Sequence, residues 1–91
     1  MKTIHKFELT IADVQTIRIP VTAKILCVQT QRGVPCLWVE LETSHTQVGR
    51  TVEVFGTGHR MHGDAGVDRT YIGTFQIEDA LVFHVYEYLG S

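Results

Sequence analysis

The amino-acid sequence predicts an all-β domain, a small antiparallel β-sandwich or barrel of about seven strands with one long loop near residues 57–69. Three observations predict it. Runs rich in Val, Ile, Thr, Phe and Tyr recur from end to end, separated by Gly, Pro, Asp and Ser at spacings near ten residues. No heptad, low-complexity stretch or internal repeat interrupts them. The chain has 91 residues, 44% hydrophobic and 20% charged, which describes a single domain over residues 1–91.

Strands are expected near 3–10, 14–19, 24–31, 34–43, 50–56, 70–77 and 80–88. In the second, Ile17 and Ile19 flank Arg18 in period-two alternation. Pro20, which cannot donate to a ladder, ends that strand or places it on an edge. In the third, Ile25, Leu26, Cys27 and Val28 form a continuous apolar run of the kind buried on both faces, so this strand is expected to be central. Arg32-Gly33 is a hairpin signal, because Gly33 supplies the positive φ of a tight turn. The hairpin then pairs Gln31 with Val34, Gln29 with Cys36 and Cys27 with Trp38. Cys27 and Cys36 sit diagonally on one face, too far apart for a relaxed disulfide, so both are read as reduced thiols. A redox pair would need a slipped register and an oxidising compartment.

In the fourth strand Leu37, Val39 and Leu41 alternate with Glu40 and Glu42, which are expected on a solvated face. Residues 61–69 read as a long surface loop. In the sixth strand Tyr71, Phe75 and Ile77 share a face with Gly73, and a glycine inside a strand marks a bulge, a bend or close backbone approach. A Glu78-Asp79 turn leads to the last strand, with Leu81, Phe83 and Val85 along one side. Tyr86, Tyr88 and Leu89 exceed what so short a chain can cover, which points to a subunit interface. A domain of this size is marginally stable alone, and a partner subunit is the expected addition to its core. The molecule is therefore read as a homo-oligomer.

Eight Lys and Arg against ten Asp and Glu give a net charge of −2, which argues against a nucleic-acid binder. That balance hides an asymmetry. Arg18, Lys24 and Arg32 fall in residues 14–39 without a carboxylate, whereas Glu78, Asp79 and Glu87 fall in residues 76–91 without a cation. Opposed surfaces of this kind suit self-association or steering of an anionic ligand, although a solvated mixed surface has the same composition. No window reaches the ~18 apolar residues of a membrane span, and the start lacks the apolar region of a signal peptide, so no membrane contact and a cytoplasmic location are expected.

The most chemically suggestive stretch is Phe55-Gly56-Thr57-Gly58-His59-Arg60. Gly56 and Gly58 around a hydroxyl residue let successive N–H groups converge on one point, an anion-binding nest. Thr57 adds a hydroxyl donor, His59 a donor or neutral base, and Arg60 a forked cation. The same glycines also suit a plain strand-to-loop turn. The stretch is neither a P-loop nor a dinucleotide fingerprint.

His59 and His62, with Asp64 and Asp68 nearby and His84 on a distant strand, raise a metal site. Two imidazoles in a glycine-flanked loop with no helix to space them fall short of the three or four ligands zinc needs, so neither metal nor cofactor is expected. The only serines are Ser44 and Ser91, no Gly-x-Ser-x-Gly occurs, and neither cysteine adjoins a basic residue. The chain is therefore read as a non-enzyme. A hydrolase using His59 and His62 on a phosphodiester is the weaker alternative.

Several motifs carry a family resemblance. They are Ile19-Pro20 with Ala23-Lys24-Ile25-Leu26 and Val28-Gln29, Gly33-Val34-Pro35-Cys36-Leu37-Trp38, Phe55-Gly56-Thr57-Gly58-His59, Tyr71-Ile72-Gly73-Thr74-Phe75-Gln76, and Leu81-Val82-Phe83-His84-Val85-Tyr86-Glu87. With these the chain resembles a family of small uncharacterised proteins encoded by phages and prophages. The resemblance implies a phage context and transfers no activity. By analogy, other small phage β proteins inhibit host defence or act as oligomeric sponges for nucleotide immune signals. Two functions are thus expected. One is a homo-oligomeric module whose Gly56–Arg60 loop, with Arg69 or Lys24 from a neighbour, holds a small anionic ligand such as a cyclic nucleotide. The other is an interaction or structural module that binds a host defence protein or phage protein through an exposed strand edge or aromatic patch.

Overall fold

The computed structural model describes residues 1–61 and 66–90. Seven strands follow one another: β1 (Lys2–Glu8), β2 (Val14–Pro20), β3 (Lys24–Gln31), β4 (Val34–Glu42), β5 (Gln47–Gly56), β6 (Asp68–Ile77) and β7 (Leu81–Gly90). They form two antiparallel sheets, ordered β1-β4-β3 and β2-β5-β7-β6, which pack as a sandwich rather than a closed barrel. Period-two alternation aims Leu37, Val39 and Leu41 of β4 and Ile17, Ile19, Val52, Val54 and Val85 of the larger sheet into one apolar cluster. Ile19, Leu37, Val39, Val52 and Val85 are fully buried, each stabilising the fold by about 1.5–3 kcal/mol relative to exposure.

The hairpin of β3 and β4 has the expected register, with Gln31 opposite Val34, Gln29 opposite Cys36 and Cys27 opposite Trp38. Both turn residues, Arg32 (φ 53°) and Gly33 (φ 78°), have positive φ, the geometry that matches strand twist in a two-residue hairpin. Cys27 and Cys36 are free thiols.

β3 is not a central strand. It is the edge of the smaller sheet, and a bulge between Ile25 and Cys27 turns Leu26 outward to 41% exposure. Its apolar run is explained by packing across the sandwich: Val28 of β3 meets β6 at Gly73, where an added Cβ would lie 2.8 Å from Val28 Cγ1. Gly73 therefore serves close approach, and the register of β6 shifts beside it, between Tyr71 and Gly73. That shift corrects the expected grouping of side chains. Phe75 and Ile77 pack with the core, whereas Tyr71 lies opposite Tyr86 on the other face and is 55% exposed.

β2 is an edge strand ending at Pro20, as expected. The turn to β7 places Glu78 and Asp79 at φ 53° and 62°. Glu40 and Glu42 are half-buried and paired with Lys2 and the Met1 ammonium. Tyr86 and Tyr88 are half-buried within the chain itself, leaving Leu89 as the exposed apolar group of that trio.

Of the acidic residues in the last segment, Glu78 and Asp79 are exposed, whereas Glu87 is internal. Arg50 on β5 donates from Nε to Glu87 Oε2 (2.6 Å) and from Nη2 to Oε1 (2.8 Å). Its Nη1 donates to the carbonyls of Pro20 (3.0 Å) and Ala23 (2.7 Å). The guanidinium thus ties the turn between β2 and β3 to β7, with the charge matched and the donors engaged.

Candidate functional site

Since Val52, Val54 and Val85 face the core, Glu53 and Phe55 of β5 and His84 and Tyr86 of β7 face the opposite side of the larger sheet. The register of β6 adds Arg69, Tyr71 and Thr74 to this outer face. An outer face is ordinarily solvated, yet Glu53 and Phe55 are 7% and 6% exposed. Arg69 accounts for much of this. Its Nε donates to Glu53 Oε1 at 2.6 Å, and its guanidinium carbon lies 5.3 Å from the centre of the Phe55 ring, a cation–π contact. Tyr86 meets Phe55 and Tyr71 edge to face, at centroid separations of 5.9 and 5.3 Å.

Beside this layer runs a chain of polar contacts. Thr57 Oγ1 lies 2.7 Å from His84 Nε2, His84 Nδ1 lies 3.0 Å from Thr74 Oγ1, and Thr74 Oγ1 lies 2.5 Å from the Tyr71 hydroxyl. His84, distant in sequence, is brought to the Thr57 loop by its pairing opposite Phe55.

The loop after β5 begins with a turn in which His59 N–H donates to the Gly56 carbonyl at 3.0 Å and Gly58 has φ +86°. The His59 ring folds back so closely that a Cβ on Gly56 would lie 2.8 Å from two of its atoms. Turn geometry and ring packing therefore explain both glycines. The Thr57 N–H donates to the Val82 carbonyl at 3.1 Å. With the amides of Thr57 and His59 engaged by carbonyls, the expected nest of converging N–H groups does not form at these two positions.

Those side chains border a cleft of ≈ 310 Å³ lined by Phe55, Thr57, His59, Met61, His84 and Tyr86, with Gly56 and Gly58 in its wall. Arg60 follows on the exposed loop and has no acidic partner among the described residues. Arg69 is on the same face but bound to Glu53. Lys24 is elsewhere: it starts β3 in the other sheet, opposite Glu40, and lines a groove of ≈ 430 Å³ with Lys2, Thr22, Glu42 and His45. Within one chain the structure thus brings Gly56, Thr57, Gly58 and His59 together, with Arg60 next in sequence, and leaves Lys24 out.

His62 and Asp64 lie outside the described residues. Among the described residues no group of three or more His, Cys, Asp or Glu is placed to hold a metal. No helix is long and apolar enough to cross a membrane. In the mixed-charge groove the Glu42 carboxyl is held below the usual carboxylate range, mainly by the hydrogen bond from the Met1 ammonium, which outweighs the opposing effect of burial, with Ser44 lowering it further.

Sequence reasoning gave Tyr71 and Thr74 no part in the ligand site and weighed His84 only as a distant companion of the loop histidines in a metal site. The available signal was a histidine in phase with Tyr86 and Tyr88 on a strand whose alternate positions are Phe83 and Val85.

Fold and site define a small two-sheet β-sandwich with an aromatic and imidazole cleft on the outer face of its larger sheet. The chain belongs to the domain family of unknown function DUF7352, whose family model matches residues 1–90. No curated protein and no solved structure matches it.

Proposed function

We propose that this domain is a non-enzymatic binding module that takes a small anionic ligand with a planar ring in the outer-face cleft. One observation carries the reading: a concave site lined by aromatic rings, two imidazoles and a hydroxyl, followed on the loop by Arg60, a cation without an acidic partner among the described residues. Tyr86 and the imidazoles suit a ring, while Arg60 and His59 suit a phosphate or carboxylate.

Size limits the ligand. At ≈ 310 Å³ the cleft sits at the lower end of the about 300–1,000 Å³ of small-molecule sites, which fits one mononucleotide-sized group. A cyclic dinucleotide would need a second cleft, and a homo-oligomer supplies one, with Lys24 of a neighbouring copy as a further cation; Arg69 is committed to Glu53. In this reading the protein withdraws a nucleotide-type immune signal in the cytoplasm of a phage-infected bacterium by binding without turnover.

The test is a thermal-shift and calorimetric panel of adenosine 5′-monophosphate, cyclic dinucleotides and ADP-ribose, run on the wild type and on Arg60→Ala and His59→Ala. Stabilisation that both variants weaken supports the reading. No shift at millimolar ligand, or equal affinity in the variants, overturns it.

A second reading is favoured by a different place. Where β2 and β7 end and β5 begins, Val21 (73% exposed), Val48 (37%) and Leu89 (59%) border a groove of ≈ 440 Å³. An apolar groove of this kind suits a protein partner, and a stable complex in a pull-down without small-molecule stabilisation would support that module instead.

A further inference from the structure

Each sheet has two edge strands, and the four edges are not alike. An open edge presents a row of unpaired N–H and C=O groups to any strand that can align with it. Three of the four carry an interruption. β3 has the bulge at Leu26, and β6 has register shifts beside Asp68 and between Tyr71 and Gly73. β2 ends at Pro20, which adds no N–H. β1 runs opposite β4 from Lys2 to Glu8 without a bulge or a proline, and five of its seven residues are exposed.

Two bonds fix which groups of β1 point away from β4. The Leu9 N–H donates to the Pro35 carbonyl at 2.8 Å, and the Thr43 N–H donates to the Met1 carbonyl at 3.0 Å. Bonded positions alternate along an antiparallel ladder, so Thr3, His5 and Phe7 bond to β4, while Lys2, Ile4, Lys6 and Glu8 turn their N–H and C=O groups to the open edge. The side chains of these four also share a face, opposite to that of Phe7, which packs on the core. They form a row with a cation at one end, a carboxylate at the other and Ile4, 55% exposed, between them.

We propose that the β1 edge is a self-recognition surface, on which a second copy of this chain pairs its own β1 antiparallel about a two-fold axis at His5. The row dictates that register. With the axis at His5, Lys2 stands opposite Glu8 of the second copy and Ile4 opposite its Lys6, so every outward residue of both strands is bonded and both ends carry opposite charges. An axis at Ile4 sets Lys2 against Lys6 and leaves Glu8 over. An axis at Lys6 sets that residue against its own copy and leaves Lys2 over. Each of these alternatives loses bonded pairs and brings like charges together.

The end residues are available for such pairing. Glu8 is in no ion pair among the described residues, and the Lys2 ammonium, 3.4 Å from Glu40, keeps further donors. The two copies of Ile4 become diagonal neighbours, about 7–8 Å apart, which covers part of their apolar surface. β2 offers no equivalent match. Its Asp13 carbonyl accepts from the Val54 N–H at 3.0 Å, so Val14, Thr16, Arg18 and Pro20 fall on its open edge, a row with a cation and no carboxylate. The β1 surface belongs to the smaller sheet, so the inference goes beyond the cleft on the larger one and does not depend on its ligand.

The test is sedimentation equilibrium at low ionic strength from about 10 µM to about 1 mM, because one seven-residue strand makes a small interface of the transient class. The wild type is expected to approach the mass of two 10.3 kDa chains as concentration rises. Lys2→Glu and Glu8→Lys, each alone, set like charges against each other at both ends and are expected to dimerise at least about tenfold more weakly. An equimolar mixture of these two variants is complementary at both ends, and its association is expected to return to within about threefold of the wild type. Ile4→Pro removes an outward N–H without touching the ladder to β4; it is expected to keep the fold, verified from its amide spectrum, and to remain monomeric. A wild type that stays monomeric throughout, single variants that dimerise as well as the wild type, a mixture no stronger than its components, or a dimer that persists in Ile4→Pro overturns the proposal.

Discussion

The larger sheet holds two buried Arg–Glu pairs on opposite faces, and they are built differently. On the core side, Arg50 and Glu87 form a bidentate pair whose remaining guanidinium donor is taken by two backbone carbonyls of the β2–β3 turn. On the outer side, Arg69 and Glu53 have one short bond and one of 3.5 Å, and the guanidinium stacks on Phe55 beside the cleft. The first fastens strands and a turn to one another. The second neutralises a carboxylate and forms the floor of a face that carries histidines, tyrosines and threonines. Burial of charge is thus structural in both places, but of the two only the outer pair adjoins the cleft proposed to take a ligand.

Breaking the inner pair is expected to have the largest effect. Glu87→Gln leaves Arg50 charged and only 16% exposed, a loss of about 3 kcal/mol, or on the order of 15 °C in Tm by calorimetry. Replacing both residues, as in Arg50→Met with Glu87→Leu, is expected to recover much of that, because no unpaired charge remains. Glu53→Gln follows at about 2 kcal/mol, since a single short bond is lost, and it is expected to weaken ligand binding as well. Equal losses of stability at both sites without a binding effect at Glu53 would erase the distinction between the two faces.

Gly73→Ala is expected to cost about 1–2 kcal/mol, because its Cβ would meet Val28 Cγ1 at 2.8 Å and the strands would have to part. A double-mutant cycle with Val28→Ala checks the cause: the two changes together are expected to destabilise by less than their sum. The smallest effect belongs to Glu42. Its folded-state pKa is depressed, so its pairing with the Met1 ammonium stabilises the fold above the pKa of the unfolded carboxyl and is lost as pH falls through the folded value. Glu42→Gln is therefore expected to lower Tm slightly near neutrality and not at all once the pH is low enough to protonate the wild-type side chain.

Legibility in the sequence followed locality. Seven strands and the Arg32-Gly33 register could be read because alternation and turn chemistry are short-range signals. The bulge at Leu26 could not, since nothing in Ile25-Leu26-Cys27-Val28 marks an extra residue. The same run suggested a central strand because packing across the sandwich against β6 and burial within a sheet demand the same apolar side chains. At Gly73 a local irregularity was readable, but its consequence, the turning of Tyr71 to the outer face, depends on the partner strand. Of the candidate site, Gly56, Thr57, Gly58 and His59 were visible as one stretch. The reason for the two glycines was not, because the fold engages the neighbouring N–H groups with carbonyls and packs an imidazole where a side chain would stand. Both Arg–Glu pairs were invisible, being 37 and 16 residues apart in sequence.

The most direct test of the account is amide chemical-shift mapping with adenosine 5′-monophosphate on wild type and Arg60→Ala. Arg60 is exposed and without an acidic partner among the described residues, so its loss is expected to change stability by less than about 0.5 kcal/mol. The account predicts shifts concentrated in residues 55–61 and 84–86 that weaken at least several-fold in the variant. Shifts centred on the groove of Val21, Val48 and Leu89, or a wild-type spectrum unmoved at millimolar nucleotide, would contradict it.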